Sequence, residues 1–250
     1  MDNSFFDRLE SLRQEEACGL VVLIDPENFA ALDYHWLLEK EGKIMAIFVG
    51  GSSANAEQTK QCLFWLRSHV KCPLVIFPGD YQQVQQPADA LLFLSLVSGR
   101  NPQFLVGQQI MAAPRLKKMS MEVIPTAYLL IDCGKMSTVQ YVSQTMPIPH
   151  DKNDLAAHTA LAAQYMGMKV CYLDGGSGAP KTIAPEMVKT VREHVQMPII
   201  VGGGIQNSEQ AEALARAGAN LIVVGNALEA QPECFDAMTS WLRVDRRKIK

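Results

Sequence analysis

The chain has 250 residues, 48% of them apolar, and a formal net charge of −3 at pH 7. This length suits one large α/β domain, and without an internal linker or low-complexity tract we expect residues 1–250 to form a single domain. The near-neutral charge gives no reason to expect a nucleic-acid partner. The six cysteines lack metal-ligand spacing and the charged N-terminus lacks an apolar signal core, so we expect a cytoplasmic protein.

Eight apolar runs alternate with helical patterns along the chain. Because these runs are apolar on both faces, they are typical of parallel strands covered on both sides. The predicted strands are 19–24, 44–49, 73–77, 90–95, 123–131, 169–173, 198–202 and 220–225. Helical patterns cover 4–16, 30–42, 56–69, 102–118, 154–167, 184–195 and 208–219. This alternation predicts a (β/α)8 barrel, and a doubly wound sheet is the structural alternative.

The last three predicted strands all end in glycine-rich segments. These are YLDGGSG at 172–178, GGG at 202–204, and the pair Gly225 and Asn226. In (β/α)8 barrels the active site lies at the carboxyl ends of the strands, and a phosphate often binds between the loops after strands seven and eight. Two glycine-rich loops at those positions favour a phosphate pocket over glycines that merely end strands.

Asp174 ends the sixth predicted strand and lies on the same side of it as Tyr172, two residues earlier. Asp174 is a candidate hydroxyl-orienting acceptor or general base. The alternative for Asp174 is a structural acceptor for the N–H groups of its own loop, and the alternative for Tyr172 is barrel packing.

Asp25 ends the first strand in LIDPEN, and Ser52 follows the second strand in VGGSSAN. A carboxylate and a hydroxyl at neighbouring strand ends can hold a Mg²⁺ ion that keeps most of its waters. Each residue alone is weak evidence, since an acid before proline can simply shape a turn. Opposite a phosphate pocket, the pair suggests a metal–diphosphate site.

The chain resembles the geranylgeranylglyceryl phosphate synthases over nearly its whole length. The resemblance rests on LIDPEN, VGGSSAN, LSLVSGRNPQFLVGQ, the block from PIPHDKND to YLDGGSGAP, IIVGGGI and IVVGNALE, in this order. This family has a modified barrel in which the third helix is missing, which would account for the short gap PGDYQQVQQPADA.

The resemblance also implies roles for individual residues. The glycerol 1-phosphate site would comprise Tyr172, Leu173, Asp174, Gly175, Gly176, Ser177, Gly178, Gly203, Gly204, Gly225 and Asn226. Mg²⁺ would bind Asp25 and Ser52, although Ser53 is adjacent and the choice between the two serines is open. The family usually has Glu where this chain has Asp174, and we expect the acceptor role to survive.

The implied reaction is Mg²⁺-dependent transfer of a geranylgeranyl group from geranylgeranyl diphosphate to the primary hydroxyl of sn-glycerol 1-phosphate. Asp174, with Tyr172, would be catalytic, and LLFLSLV with NPQFLVGQQIM would supply the prenyl groove. The resemblance further implies a homo-oligomer, either a dimer or a hexamer, and an apolar product makes transient membrane-surface contact plausible. The alternatives are another phosphate-binding barrel enzyme and a non-catalytic sensor of a phosphate ligand.

Overall fold

Eight parallel strands close into a barrel in the computed structural model, which describes residues 4–240 and 242. The strands are β1 (Gly19–Ile24), β2 (Ala46–Val49), β3 (Leu74–Ile76), β4 (Ala90–Leu96), β5 (Glu122–Leu130), β6 (Val170–Asp174), β7 (Ile199–Gly202) and β8 (Leu221–Val224). Each strand pairs with its neighbours in the chain, and β1 pairs with β8. The predicted (β/α)8 barrel is confirmed.

Helices follow most of the strands. They are α1 (Phe5–Gln14), α2 (Trp36–Lys40), α3 (Ala56–His69), α4 (Gln108–Leu116), α5 (Thr138–Ser143), α6 (Asn153–Tyr165), α7 (Pro185–His194), α8 (Ser208–Arg216), α9 (Asn226–Ala230) and α10 (Phe235–Met238). Within residues 4–240 and 242, no helix is long and apolar enough to cross a bilayer.

Strand alternation divides the core into two layers. Inward-facing side chains such as Phe48, Tyr128 and Tyr172 fill the barrel, whereas outward-facing ones such as Leu173 pack under the helices. Helix α1 closes the amino-terminal end of the barrel, because its buried face joins the inner layer and the backbone N–H of Phe5 donates to Glu122 at the start of β5. The opposite end of the barrel remains open for a site.

The third helix of the barrel is missing, as the resemblance implied. Only a 3₁₀ turn, Tyr81–Gln83, lies between β3 and β4. The buried amide of Gln83 fixes this connection to the loop after β2 by donating to the carbonyls of Gly51 (2.7 Å) and Ala54 (2.8 Å). Its Oε1 accepts from the N–H of Gly79 at 2.9 Å. Side-chain hydrogen bonds of Gln83 therefore hold this connection in place, whereas elsewhere in the barrel helices pack over the strands.

Two predicted helices differ from the observed ones. The pattern over 30–42 yields only α2 between two 3₁₀ turns, because Asp33 accepts a hydrogen bond from the N–H of His35 and delays the helix. The pattern over 102–118 begins with a π-helical turn, Gln103–Gly107, before α4. The sequence did not indicate α5, α9 and α10, which are too short to show helical periodicity.

Candidate active site

A cavity of about 420 Å³ opens at the carboxyl ends of the strands. Its polar side is formed by the loops after β1, β2, β3, β6, β7 and β8. Its other side, which we call the apolar lobe, is lined mainly by Val84, Leu91, Phe93, Leu94, Leu96, Phe104 and Ala112. The apolar lobe lies beside the position of the missing third helix. It contains members of both segments that were predicted to form the prenyl groove.

Asp174 is the last residue of β6 and is 8% exposed. Its Oδ1 accepts a hydrogen bond from the N–H of Gly176 at 2.9 Å, and its Oδ2 accepts one from the hydroxyl of Tyr128. Burial raises the pKa of the Asp174 carboxyl, and the two hydrogen bonds partly offset this because they favour the charged form. The result is an oriented carboxylate with increased basicity, as a proton acceptor requires.

Tyr172 projects into the barrel from the same side of β6 as Asp174. Its ring stacks on Phe77, with centroids 4.9 Å apart and planes 8° apart. Its hydroxyl lies against Gly202, where an added Cβ would be only 2.5 Å away. No group within the described residues hydrogen-bonds this hydroxyl. Burial, and then the charge of Asp174, raise the pKa of Tyr172, so the hydroxyl stays protonated and can donate to a ligand.

The loops after β6 and β7 meet backbone against backbone. The N–H of Gly175 donates to the carbonyl of Gly202 at 2.9 Å. An added Cβ on Gly203 would lie 2.7 Å from the amide nitrogens of both Gly175 and Gly176. Gly203 and Gly204 have φ values of +86° and +70°, which favour glycine strongly. Because these positions carry no side chains, an anion can approach the backbone closely.

The loop after β8 completes this side of the cavity. Gly225 directly precedes α9, and Asn226 is its first residue. The Ser177 hydroxyl donates to Asn226 Oδ1 at 2.9 Å, which joins the loop after β6 to the start of α9. Gly203, Gly204, Gly225 and Asn226, the four positions predicted to hold a phosphate, therefore line one cavity together with Ser177 and Gly178.

Three residues predicted to bind glycerol phosphate do not line the cavity. The side chain of Leu173 is fully buried in the outer core layer, on the opposite side of β6 from Tyr172. Gly175 and Gly176 lie behind the cavity wall, and their N–H groups already donate to Gly202 and Asp174. In this structure these two glycines support the neighbouring loop and the Asp174 carboxylate.

Asp25 and Ser52 both line the cavity, at the ends of β1 and β2. The Asp25 carboxylate packs directly on Gly51, where an added Cβ would lie 2.3 Å from Asp25 Oδ1. The Ser53 hydroxyl donates to Glu27, whereas the Ser52 hydroxyl makes no hydrogen bond within the described residues. Both serines line the cavity, and Ser52 is the one whose hydroxyl is not already hydrogen-bonded to another side chain of the described residues.

Two further residues of this site were missed in the sequence, Tyr128 and Glu229. Glu229 lines the cavity on α9, and its Oε1 accepts from the hydroxyl of Tyr34 (3.0 Å) and the N–H of Asp25 (3.4 Å). Burial raises the pKa of both the Asp25 and the Glu229 carboxyls. No sequence signal marks Tyr128, because only the strand register brings it beside Asp174. Glu229 is the last residue of the IVVGNALE motif, which could have indicated it.

Comparison with known proteins identifies the family. The sequence matches the PcrB family model over residues 11–241. The chain belongs to the PcrB family. Among the curated relatives of this PcrB-family protein is the geranylgeranylglyceryl phosphate synthase of Chitinophaga pinensis. It is 44% identical over 238 residues, which make up 94% of this chain and 93% of the relative. The synthase of Pyrococcus furiosus is 41% identical over 212 residues, 84% of each chain.

A solved structure is also similar to this PcrB-family barrel. The (S)-3-O-geranylgeranylglyceryl phosphate synthase of Thermoplasma acidophilum, in complex with its substrate sn-glycerol-1-phosphate, superposes with a TM-score of 0.85. It is 33% identical in sequence, and the match covers 96% of both chains. The resemblance predicted from the ordered motifs is thus confirmed.

Proposed function

We propose that this protein is a prenyltransferase that joins a geranylgeranyl group to the free primary hydroxyl of sn-glycerol 1-phosphate. The observation that supports this most directly is the likeness to the Thermoplasma acidophilum enzyme with its bound sn-glycerol-1-phosphate. The cavity supplies matching parts, since an oriented buried carboxylate, glycine-rich loops and an apolar lobe line one space. The reaction would produce geranylgeranylglyceryl phosphate and diphosphate.

The glycine-rich side of the cavity is the site that we assign to glycerol phosphate. Its phosphate would lie against Gly203, Gly204 and Gly225, where backbone groups are accessible without side chains, and against Asn226. The primary hydroxyl would then face Asp174, and the Tyr172 hydroxyl, which lacks a partner within the described residues, would donate to the glycerol moiety. Binding both ends of this small molecule fixes its hydroxyl for attack.

Asp25 and Ser52 are the residues that would hold Mg²⁺. Within residues 4–240 and 242, no three His, Cys, Asp or Glu residues cluster into a metal site. This fits Mg²⁺, which proteins usually bind through one or two carboxylates while substrate phosphates and water complete the shell. Among the described residues, no Lys, Arg or His side chain lines the cavity. A bound diphosphate therefore needs a cation that the cavity lining does not supply. Bound Mg²⁺ would neutralise the diphosphate leaving group.

Asp174 would perform the proton transfer. The glycerol hydroxyl oxygen forms a bond to C1 of the donor, the bond from C1 to the diphosphate oxygen breaks, and the hydroxyl proton passes to Asp174. Tyr128 would hold Asp174 in place through its hydrogen bond to Oδ2. The raised pKa of the Asp174 carboxyl makes it a stronger base than an exposed aspartate.

The prenyl chain would occupy the apolar lobe, next to the gap left by the missing third helix. We further propose a cytoplasmic enzyme, in keeping with the free thiols of Cys18, Cys62, Cys133, Cys171 and Cys234. Homo-oligomerisation and transient contact with a membrane surface also belong to this proposal. Exposed apolar side chains such as Tyr141, on the helix that contributes Thr138 and Val139 to the cavity lining, and Met146 could serve either contact.

The test is product formation by the purified protein from sn-glycerol 1-phosphate and geranylgeranyl diphosphate, in Mg²⁺ or in EDTA. We expect a prenyl ether product, identified by mass, in Mg²⁺ alone. Calorimetric titration of glycerol phosphate should accompany the assay. Tight binding without product from any prenyl diphosphate would favour a sensor and refute the enzyme, and product in EDTA would refute the Mg²⁺ site.

A further inference from the structure

The cavity has an electrostatic imbalance. Asp25, Asp80, Asp174 and Glu229 line it, but no basic side chain of the described residues does. Both substrates of the proposed reaction are polyanions, and Mg²⁺ beside Asp25 can compensate only the diphosphate end. The phosphate of glycerol phosphate, which we assign to the loops after β7 and β8 next to Ser177 and Gly178 of the loop after β6, must obtain its positive potential from backbone N–H groups and from cations outside the lining.

Lys135 is the cation that the structure places beside this loop. Its Nζ lies 3.7 Å from the position that a Cβ of Gly178 would occupy, and Gly178 lines the cavity. The preceding residue, Gly134, lies near the end of the same loop, since an added Cβ there would be 3.4 Å from Pro180. Lys135 is exposed and makes no ion pair or hydrogen bond within the described residues. Its ammonium group is therefore free to move toward an anion in the cavity beside Gly178.

Other cations at this end of the barrel are less suitable. The guanidinium of Arg100 donates to the carbonyls of Val97 (3.3 Å) and Gly99 (2.7 Å), so it is folded onto its own loop. Lys152 pairs with Asp151 at 3.9 Å. Lys181 follows the same glycine loop, but the part of it placed against the lining residue Gly204 is its backbone carbonyl, not its ammonium group. Among these cations, Lys135 is the one whose charged group is placed against a lining residue.

We propose that Lys135 is a binding residue for the phosphate of the glycerol phosphate acceptor, an inference that rests on the proposed function. The ammonium group attracts the phosphate into a cavity whose own side chains are acidic, and it then stays beside Gly178. An exposed cation of this kind strengthens binding and association but does not touch the reacting atoms. The assignment predicts an effect on KM and on the salt dependence, with kcat unchanged.

The test compares Lys135→Met, Lys135→Arg and the control Lys189→Met. Lys189 is an exposed residue of α7 that lies outside the cavity lining and has no ion pair within the described residues, so its replacement removes the same net charge. At low ionic strength we expect Lys135→Met to raise KM for sn-glycerol 1-phosphate roughly fivefold, since exposed charge pairs contribute up to about that factor. Lys135→Arg and Lys189→Met should retain the wild-type KM.

Salt dependence supplies the second measurement. Added salt should raise KM of the wild-type enzyme and should close the gap to Lys135→Met, because the exposed charge is screened. The inference is wrong if Lys135→Met keeps the wild-type KM and salt dependence, or if Lys189→Met changes both equally. If the wild-type protein forms no product at all, the proposed function fails instead. Calorimetric titration of glycerol phosphate against the same variants then tests the binding role separately.

Discussion

Replacing Tyr128 by Phe removes one hydroxyl and leaves the aromatic packing in place. The hydroxyl donates to Asp174 Oδ2, while the ring meets Phe77 at 5.8 Å and Tyr172 at 5.7 Å, edge to face. A hydrogen bond to a charged group contributes about 1.5–3 kcal/mol. Without this hydrogen bond the charged form of Asp174 is less stable relative to the protonated form. The pKa of the carboxyl should therefore rise further above its usual range.

The same energy sets the expected loss of activity. If Asp174 accepts the proton in an orientation fixed by Tyr128, Tyr128→Phe should lower kcat/KM by roughly 10- to 150-fold. The assay is kcat/KM for sn-glycerol 1-phosphate across pH. The acid limb of the profile should move to higher pH in the variant, because more of Asp174 is protonated at any given pH.

Tyr172→Phe is the matched control for this experiment. The Tyr172 hydroxyl does not hydrogen-bond Asp174, and its ring would keep the stacking on Phe77. This variant should weaken glycerol phosphate binding and leave the acid limb where it is. A Tyr128→Phe enzyme with wild-type kcat/KM and an unmoved acid limb would refute the reasoning about both Tyr128 and Asp174.

Three further substitutions, one of them with a matched control, test other parts of the site. Asp174→Asn should reduce turnover by roughly 10²–10⁴-fold. Its melting temperature relative to wild type should rise with pH, because burial raises the pKa of Asp174 and wild-type stability falls as pH increases through that pKa. Ser52→Ala should raise the Mg²⁺ concentration needed for half-maximal activity, whereas Ser53→Ala should not; equal Mg²⁺ titrations would contradict the choice of serine. Gly204→Ala should lower the thermal stability by about 1–3 kcal/mol or more, since φ is +70° and the new Cβ would lie 2.1 Å from a backbone carbonyl; an unchanged melting curve would contradict this.

The barrel could be predicted because its strands are apolar on both faces and helical patterns separate them. Every predicted strand is found, and the glycine-rich loops after β6, β7 and β8 meet at the cavity as the barrel rule requires. Strand alternation also placed Tyr172 and Asp174 on one side correctly. Alternation likewise implies that the Leu173 side chain points away from the site. The glycerol phosphate residues implied by the family motif nevertheless included Leu173.

The contacts between loops could not be predicted from the sequence. Tyr128 reaches Asp174 because β5 and β6 pair in a register that sets Tyr128 opposite Tyr172, and no local pattern specifies that register. The sequence alone leaves open which of the two serines after β2 binds the metal. Glu27, which is 26 residues away from Ser53 and belongs to another loop, is what distinguishes them. Such choices depend on tertiary packing, which short-range propensities do not encode.

The most direct test of the account is a choice between the two enantiomers of the acceptor. The purified protein would receive geranylgeranyl diphosphate and Mg²⁺ with either sn-glycerol 1-phosphate or sn-glycerol 3-phosphate, and the ether product would be quantified by mass. The account predicts product from the 1-phosphate alone, because the phosphate loops and Asp174 fix the acceptor at both ends. Equal product from both enantiomers would contradict the proposed acceptor site, and no product from either would contradict the proposed reaction.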